Sequence, residues 1–385
     1  MNDLTKEAIL KNMISALVSV RKRAESVVKA KMPGVIDNID GTIFLLKRIL
    51  RSDEPKTIGF FGAQKRGKSS IINYLLGVNL MPTAPIPMSS VIIRVKHDSS
   101  LQKGSYNIDI TRRDGQMITQ ENLSEDSARL VVELHGSHRG GGVCEDIDQI
   151  EIASNFSGIK ILEEGGILVD TPGAEKAFSD DGADERNVAD AKRAECELQH
   201  THLVVFVERA DYFEGGSGYQ FFSKQIKQLR PLSVVSFKDK FNVPDVVGAV
   251  DVVESIKQQR LGSLMMKVYG VNLERFVCVS CEEAKSNDEL SGMPVMKRKI
   301  LEELSNLGFE KGLWTSLVEF EKTMNLVADK FGKDVARKIF MPATVPFSVM
   351  IMKKKLSSDA ELDADAEKFP QIAGKIEEIL NVYRL

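Results

Sequence analysis

Apolar residues recur at helical spacing near the start of the chain. From Leu4 to about Lys31, Ile9, Met13, Leu17, Val20 and Val27 fall roughly on one face, which predicts an amphipathic helix. "MPG" at Met32–Gly34 breaks the pattern, and "VIDNIDGTIFLLKRIL" follows as a second amphipathic segment ending near Ser52. Short apolar runs then take over. "EPKTIGFFG" opens a strand that runs into a glycine turn, and "KSSIINYLLG" behind it reads as a helix stopped by Gly77. Further strands are predicted at "SVIIRVKH", "YNIDITRR", "DIDQIEIA", "GGILVDTPG", "HLVVFVE", "LSVVSF" and "RFVCVS". Helices are predicted at "DERNVADAKRAECELQ", "GYQFFSKQIKQL", "AVDVVESIKQQRLGSLMMKVYG" and "MPVMKRKILEELSNLG". Glu133–Val143, "ELHGSHRGGGV", reads as a loop, and the chain after Gly308 turns helical again, broken near "MPATVP". Strands alternating with helices predict an α/β domain with a mostly parallel sheet, flanked by N- and C-terminal helices.

Composition narrows the function classes. The 385 residues carry a net charge of -3, so nothing global attracts nucleic acid, and none is expected as a partner. Cys144, Cys196, Cys278 and Cys281 do not make a disulfide framework in a chain of this size, and they predict a reducing, cytoplasmic setting. Cys278 and Cys281 form a lone C-x-x-C with no second pair to complete a zinc site, and strand packing explains them. Phe340–Met352 is the longest apolar stretch, yet it falls short of the roughly 18 residues that span a bilayer. Lys353, Lys354 and Lys355 follow it. Residues 340–355 therefore read in three ways: a peripheral contact with an anionic inner membrane surface, a core helix with a solvated end, or a seat for a partner helix.

The chemistry gathers at two strand ends. Gly62-Ala63-Gln64-Lys65-Arg66-Gly67-Lys68-Ser69 fits G-x-x-x-x-G-K-[ST] between a predicted strand and a predicted helix. Glycines let backbone N–H groups close around a phosphate, and the helix offers its positive dipole end. Lys68 would reach the β- and γ-phosphates, and Ser69 would ligate Mg²⁺. Asp170-Thr171-Pro172-Gly173 ends the strand "GGILV". There Asp170 would hold the ion through a water, and the Gly173 N–H would meet the γ-phosphate. His200 and His202 flank Thr201 without a nearby Asp or Cys to complete a metal set, so they read as surface or core histidines.

The stretch "GAQKRGKSSIINYLLGVNLMPTAPIPMSS", followed by "VDTPG", "THLVVFV" and "GFEKGLWTSLVEF", resembles the dynamin-like GTPases, in particular the bacterial ones. The resemblance covers about Lys56 to Met324 and implies a P-loop GTPase domain over residues 55–324. Residues 1–54 and 325–385 would then pack together as a short helical neck or bundle. It implies GTP as ligand, GDP and phosphate as products, and Mg²⁺ as cofactor. It also implies a G-domain homodimer or an assembly with a related subunit. Ser70 completes the Gly-Lys-Ser-Ser ending of the phosphate loop. Leu80-Met81-Pro82 supplies the family's step, and Ser89, seven residues after the proline, stands where a switch threonine is usual. Its hydroxyl can still ligate Mg²⁺, and the backbone near it would help position the attacking water. Gln64 occupies the place of a water-positioning glutamine in dynamins. Lys65 occupies the place of an internal arginine finger in guanylate-binding proteins. Either Lys65 or Arg66 would supply transition-state charge from within the loop, an effect worth about 10³–10⁵ in rate, or both point to solvent or a partner subunit.

Base selection is open in the sequence. The family's [NT]-K-x-D motif lands, by its spacing from Pro231, on Phe237-Lys238-Asp239-Lys240. Lys238 sits where the family's lysine flattens against the purine, but the carboxylate comes one residue early, at Asp239. Either Asp239 reads guanine from a shifted loop, or selectivity for guanine over adenine is weak. Ser280-Cys281-Glu282 resembles the loop whose backbone amides touch the guanine oxygen.

Overall fold

The computed structural model describes residues 6–51, 54–83, 91–136, 146–173, 193–194, 196–198, 200–210, 231–241, 250–269, 273–307 and 309–343. Contacts divide the chain into two units, one formed by Pro55–Leu304 and the other by Met1–Glu54 with Ser305–Leu385.

The larger unit is built on a mixed sheet with strand order β4-β3-β5-β2-β6-β1-β7-β8-β9. Its parallel half holds β6 (Gly166–Asp170), β1 (Lys56–Phe61), β7 (Leu203–Arg209), β8 (Leu232–Ser236) and β9 (Phe276–Cys278). β7 and β8 are buried along nearly their whole length, which explains their continuous apolar sequences: a parallel strand covered on both faces has no polar side. In the other half, β2 (Ile92–His97) runs antiparallel to β6 and parallel to β5 (Ile147–Ser154). β3 (Tyr106–Arg112) and β4 (Met117–Leu123) complete that side as an antiparallel pair. All the strands expected from apolar runs are present. β4 is additional: it lies at the sheet edge and leaves Met117 exposed.

Helices α1 (Lys6–Val27), α2 (Pro33–Leu50) and α3 (Lys68–Leu76) follow the predicted pattern, except that Val27, expected on the apolar face of α1, is exposed and the buried face continues through Ala24 and Val28. Proline at the first position of α2 removes only an N–H that the helix could not use, so "MPG" starts a helix as well as ending one. Of the loop expected over residues 133–143, only residues 133–136 lie within the described residues, and they are helical. Helix α4 (Glu125–Gly136) takes in these residues, and Gly136 packs near Ile93 and Ile150 of the sheet. Two more helices, α5 (Val250–Tyr269) and α6 (Met293–Asn306), occupy the positions expected of them.

In the smaller unit, α1 and α2 share a core with α7 (Phe309–Phe331) and α8 (333–343). Met13, Leu17, Val20, Leu46, Leu317, Phe320 and Phe340 are buried there, and the Phe320 and Phe340 rings meet edge to face at 5.5 Å. Gly332, at φ 88°, ends α7 in the left-handed conformation that glycine adopts without penalty. Arg23 Nη1 donates to Lys338 O at 2.9 Å, and Arg21 pairs with Asp40 at 2.6 Å. The segment "GFEKGLWTSLVEF", expected as the last helix of the G domain, thus places Leu313, Leu317 and Phe320 in the helical core. The contact division falls at 304/305 rather than at 324/325 for that reason. Among the described residues no helix is long and apolar enough to cross a membrane.

Candidate nucleotide site

The parallel strands β6, β1, β7, β8 and β9 end on one side of the sheet, where an open α/β fold gathers its ligand-binding loops. The loop after β1 is tightly wound. A Cβ on Gly62 would stand 2.3 Å from the Val207 carbonyl oxygen, so only glycine lets the chain leave β1 this close to β7. Lys65 at φ 59° and Gly67 at φ 87° turn the backbone into α3, which begins at Lys68. The Lys68 ammonium donates to the carbonyls of Gly62 and Ala63, at 2.8 and 2.9 Å, and so lies across the hollow of the loop. Pairing of β1 with β6 sets Phe60 opposite Asp170 and brings the second motif alongside. Ser69 Oγ donates to Asp170 Oδ2 at 2.6 Å, and Thr171 Oγ1 donates to Phe60 O at 2.8 Å. Gly173 presses on the loop itself, where an added Cβ would come within 2.6 Å of the Gln64 nitrogen. The two motifs are therefore one site.

A cavity of about 680 Å³ opens beside it, lined by Gly67, Ser70 and Tyr74 on one side and by Asp239, Ser280 and Cys281 on the other. Ser280 Oγ donates to Asp239 Oδ1 at 2.6 Å and holds that carboxylate in place. Asn73, which sequence reasoning passed over, clamps the step before the switch region: its side chain donates to Met81 O at 2.8 Å and accepts from Met81 N at 2.7 Å. Burial pushes the Cys281 thiol up to about 11, with the Asp239 charge adding to the effect, and pushes the Cys278 thiol up to about 12. Both cysteines are protonated at neutral pH, as expected of strand-end packing residues.

Lys238 lies elsewhere than the sequence suggested. It is buried with its ammonium turned away from the cavity, 2.6 Å from Glu254 of α5 and 3.1 Å from Glu283, and it also donates to Leu290 O. Burial pulls its pKa down, but the hydrogen bonds and charges of Glu254 and Glu283 outweigh that and leave it above the ordinary lysine value. Phe237, at φ 56°, packs against Gly67 and carries the Arg209 guanidinium 4.5 Å from its ring centre. His202 is a core histidine whose Nδ1 accepts the Thr57 N–H at 3.1 Å. Ser89, His138, Arg139, Cys144 and residues 344–355 lie outside the described residues.

Residues 58–231 match the Dynamin family. Over that stretch the chain is similar to the dynamins. It is 30% identical over 125 residues to Dynamin-like protein A of Bacillus subtilis (strain 168), a stretch that is 32% of this chain and 9% of that protein. It is 32% identical over 113 residues to an uncharacterized protein in the xynA 3' region of Caldicellulosiruptor sp. (strain Rt8B.4), covering 29% of this chain and 24% of that one. The chain thus spans less than a quarter of each of these two relatives. Two solved structures of an oligomerised bacterial dynamin pair superpose on it at 15% identity. One has a TM-score of 0.45 over 97% of this chain and 52% of the other, and the second has 0.41 over 100% and 66%.

The two cations of the phosphate loop part company. Lys65 is exposed. Arg66 is 5% exposed, and its Nε lies 3.0 Å from Glu208 Oε1 on β7. Ser236 Oγ sits 2.6 Å from Arg66 O and 3.0 Å from Glu208 O, closing the junction between the loop and the sheet. The expectation that Arg66 touches nucleotide is revised accordingly. Its charge is committed to a buried carboxylate, because β7 delivers Glu208 beneath the loop. Glu208 carries no motif in the sequence; its only trace is an acid at the end of an otherwise apolar strand.

Proposed function

We propose that the chain is a dynamin-like GTPase that hydrolyses GTP to GDP and phosphate with Mg²⁺. The observation that carries this reading is the junction of the phosphate loop with the end of β6, where Ser69 Oγ meets Asp170 Oδ2 at 2.6 Å beside the Lys68 ammonium. A hydroxyl and a carboxylate side by side suit a small, hard dication, so the donor set fits Mg²⁺. Ser69 and Asp170 would hold it, with Ser89 as a further hydroxyl. Bound there, Mg²⁺ supplies positive charge to the phosphate oxygens.

The chain's own residues do the rest. Lys68 gives up two loop carbonyls for phosphate oxygens, and the amides from Gly62 to Ser70 wrap the polyphosphate. Gln64, pressed by Gly173, orients the attacking water. Lys65, exposed at the loop's outer turn, supplies charge to the transition state. Asp239, fixed by Ser280, faces the cavity that would take the base, and this favours GTP over ATP.

Titration calorimetry with non-hydrolysable GTP and ATP analogues and Mg²⁺, alongside phosphate release, tests this. Wild-type protein should bind GTP and turn it over, and Lys68→Ala should lose at least about 100-fold in affinity, consistent with the loss of a charge-assisted contact. Unchanged affinity in Lys68→Ala would sink the reading. Turnover per molecule that rises with protein concentration supports G-domain pairing, with a second copy or a related subunit, over a module that barely hydrolyses. Of residues 340–355, Phe340 and Ala343 are buried in the helical core, so peripheral membrane contact is proposed for the remainder of the apolar run and the three lysines. Changing Lys353, Lys354 and Lys355 to glutamate should release the protein from anionic liposomes in sedimentation, and equal binding would remove the electrostatic part.

A further inference from the structure

We infer that Lys240 reads the base, donating to the carbonyl oxygen of guanine beside Asp239. This rests on the proposed nucleotide site and deepens it. Both residues line the same cavity. Asp239 Oδ1 is held by the Ser280 hydroxyl at 2.6 Å, and the Lys240 ammonium stands 3.3 Å from Oδ2. One wall of the cavity therefore presents an acceptor and a cationic donor as immediate neighbours. The Watson–Crick edge of guanine presents the complement: two N–H donors next to a carbonyl acceptor. Adenine presents an acceptor flanked by an amine donor, which would set that amine against the Lys240 ammonium.

The neighbouring cations have carboxylate partners of their own, Lys285 at the cavity wall itself. Lys238 is buried between Glu254 and Glu283, and the Lys285 ammonium pairs with Glu282 at 2.7 Å. The Lys240 side chain is 59% exposed, so it swings on its flexible stem from Asp239 to the base without stranding a buried charge. It stands at the position where the [NT]-K-x-D spacing calls for the carboxylate. Moving the acid one residue earlier thus places a donor at the rim of the pocket.

Calorimetry on the full-length protein with Mg²⁺ tests this, using non-hydrolysable triphosphates of guanosine, adenosine and 2,6-diaminopurine riboside. The last keeps the guanine N2 amine but replaces the carbonyl oxygen with an amine. Lys240→Met should weaken guanosine triphosphate binding about five- to tenfold. The other two nucleotides should change by less than about twofold, and Lys240→Arg should retain most of the guanosine affinity. Equal loss for all three would reassign Lys240 to the phosphates, and unchanged or tighter guanosine binding would make it a mere competitor for Asp239. Either result overturns the inference while leaving the GTPase reading intact. Wild-type protein that binds none of the three overturns both.

Discussion

At the scale of single residues, two adjacent cations in the phosphate loop do different work, and burial decides which. Lys65, in a left-handed turn and exposed, is free to turn toward a bound phosphate at small cost. Arg66 is not: Glu208 beneath it is 1% exposed, and a buried carboxylate deprived of its cation is expensive. Lys65→Ala should therefore lower the turnover number at least about tenfold, the low side of what an internal finger contributes, with little change in affinity or melting temperature. Arg66→Ala should instead destabilise the fold by about 3–5 kcal/mol in thermal or urea unfolding. Replacing both partners, Arg66→Met with Glu208→Met, should recover much of that loss, since the penalty lies in the stranded charge. Equal effects of the two single changes on turnover at equal stability would contradict this division.

At the scale of elements, most of the site was legible because its parts are backbone features with sequence signatures. A strand, glycines at fixed spacing and a helix are required by the turn itself, and "VDTPG" ends a strand that must lie beside β1 for Asp170 to reach Ser69. The elements missed are those with weak hydrophobic signals. β4 is an edge strand with exposed and half-buried positions, paired among the described residues with β3 alone, and its sequence "MITQENL" carries few apolar residues. α4 buries only Ala128, Val132 and Gly136 and leaves Leu130 and Leu134 exposed, which blurs its period. Side-chain direction was the least legible property. Lys238 and Arg66 are long cations whose orientation depends on Glu254 and Glu208, supplied by other elements of the sheet and its helices. No local pattern encodes such a partner. Asp239 is the counterexample: the Ser280 hydroxyl that fixes it belongs to a loop whose sequence could be read.

At the scale of the whole molecule, the chain has two cores with different tasks. Every residue of the proposed nucleotide site that the structure describes falls within Pro55–Leu304, whereas Leu17, Leu46, Phe320 and Phe340 belong to the helical core of the other unit. Its members come from both sides of the larger unit in sequence, so both flanks contribute to the helical core. Phe320 is 2% exposed and packs against the Phe340 ring, and deleting its ring should cost about 3–5 kcal/mol through lost burial and the cavity left behind. Calorimetric unfolding of Phe320→Ala should show that loss. Nucleotide binding should respond differently, because the described contacts that shape the phosphate loop and hold Asp239 join residues of Pro55–Leu304, whereas Phe320 belongs to the other unit. Affinity for a non-hydrolysable GTP analogue should stay within about twofold at a temperature where the variant is folded, since a site with its contacts intact keeps its binding free energy. A tenfold loss of affinity at undiminished helix content would mean that the helical core sets the geometry of the loop, and the placement of the site within one unit would have to be given up.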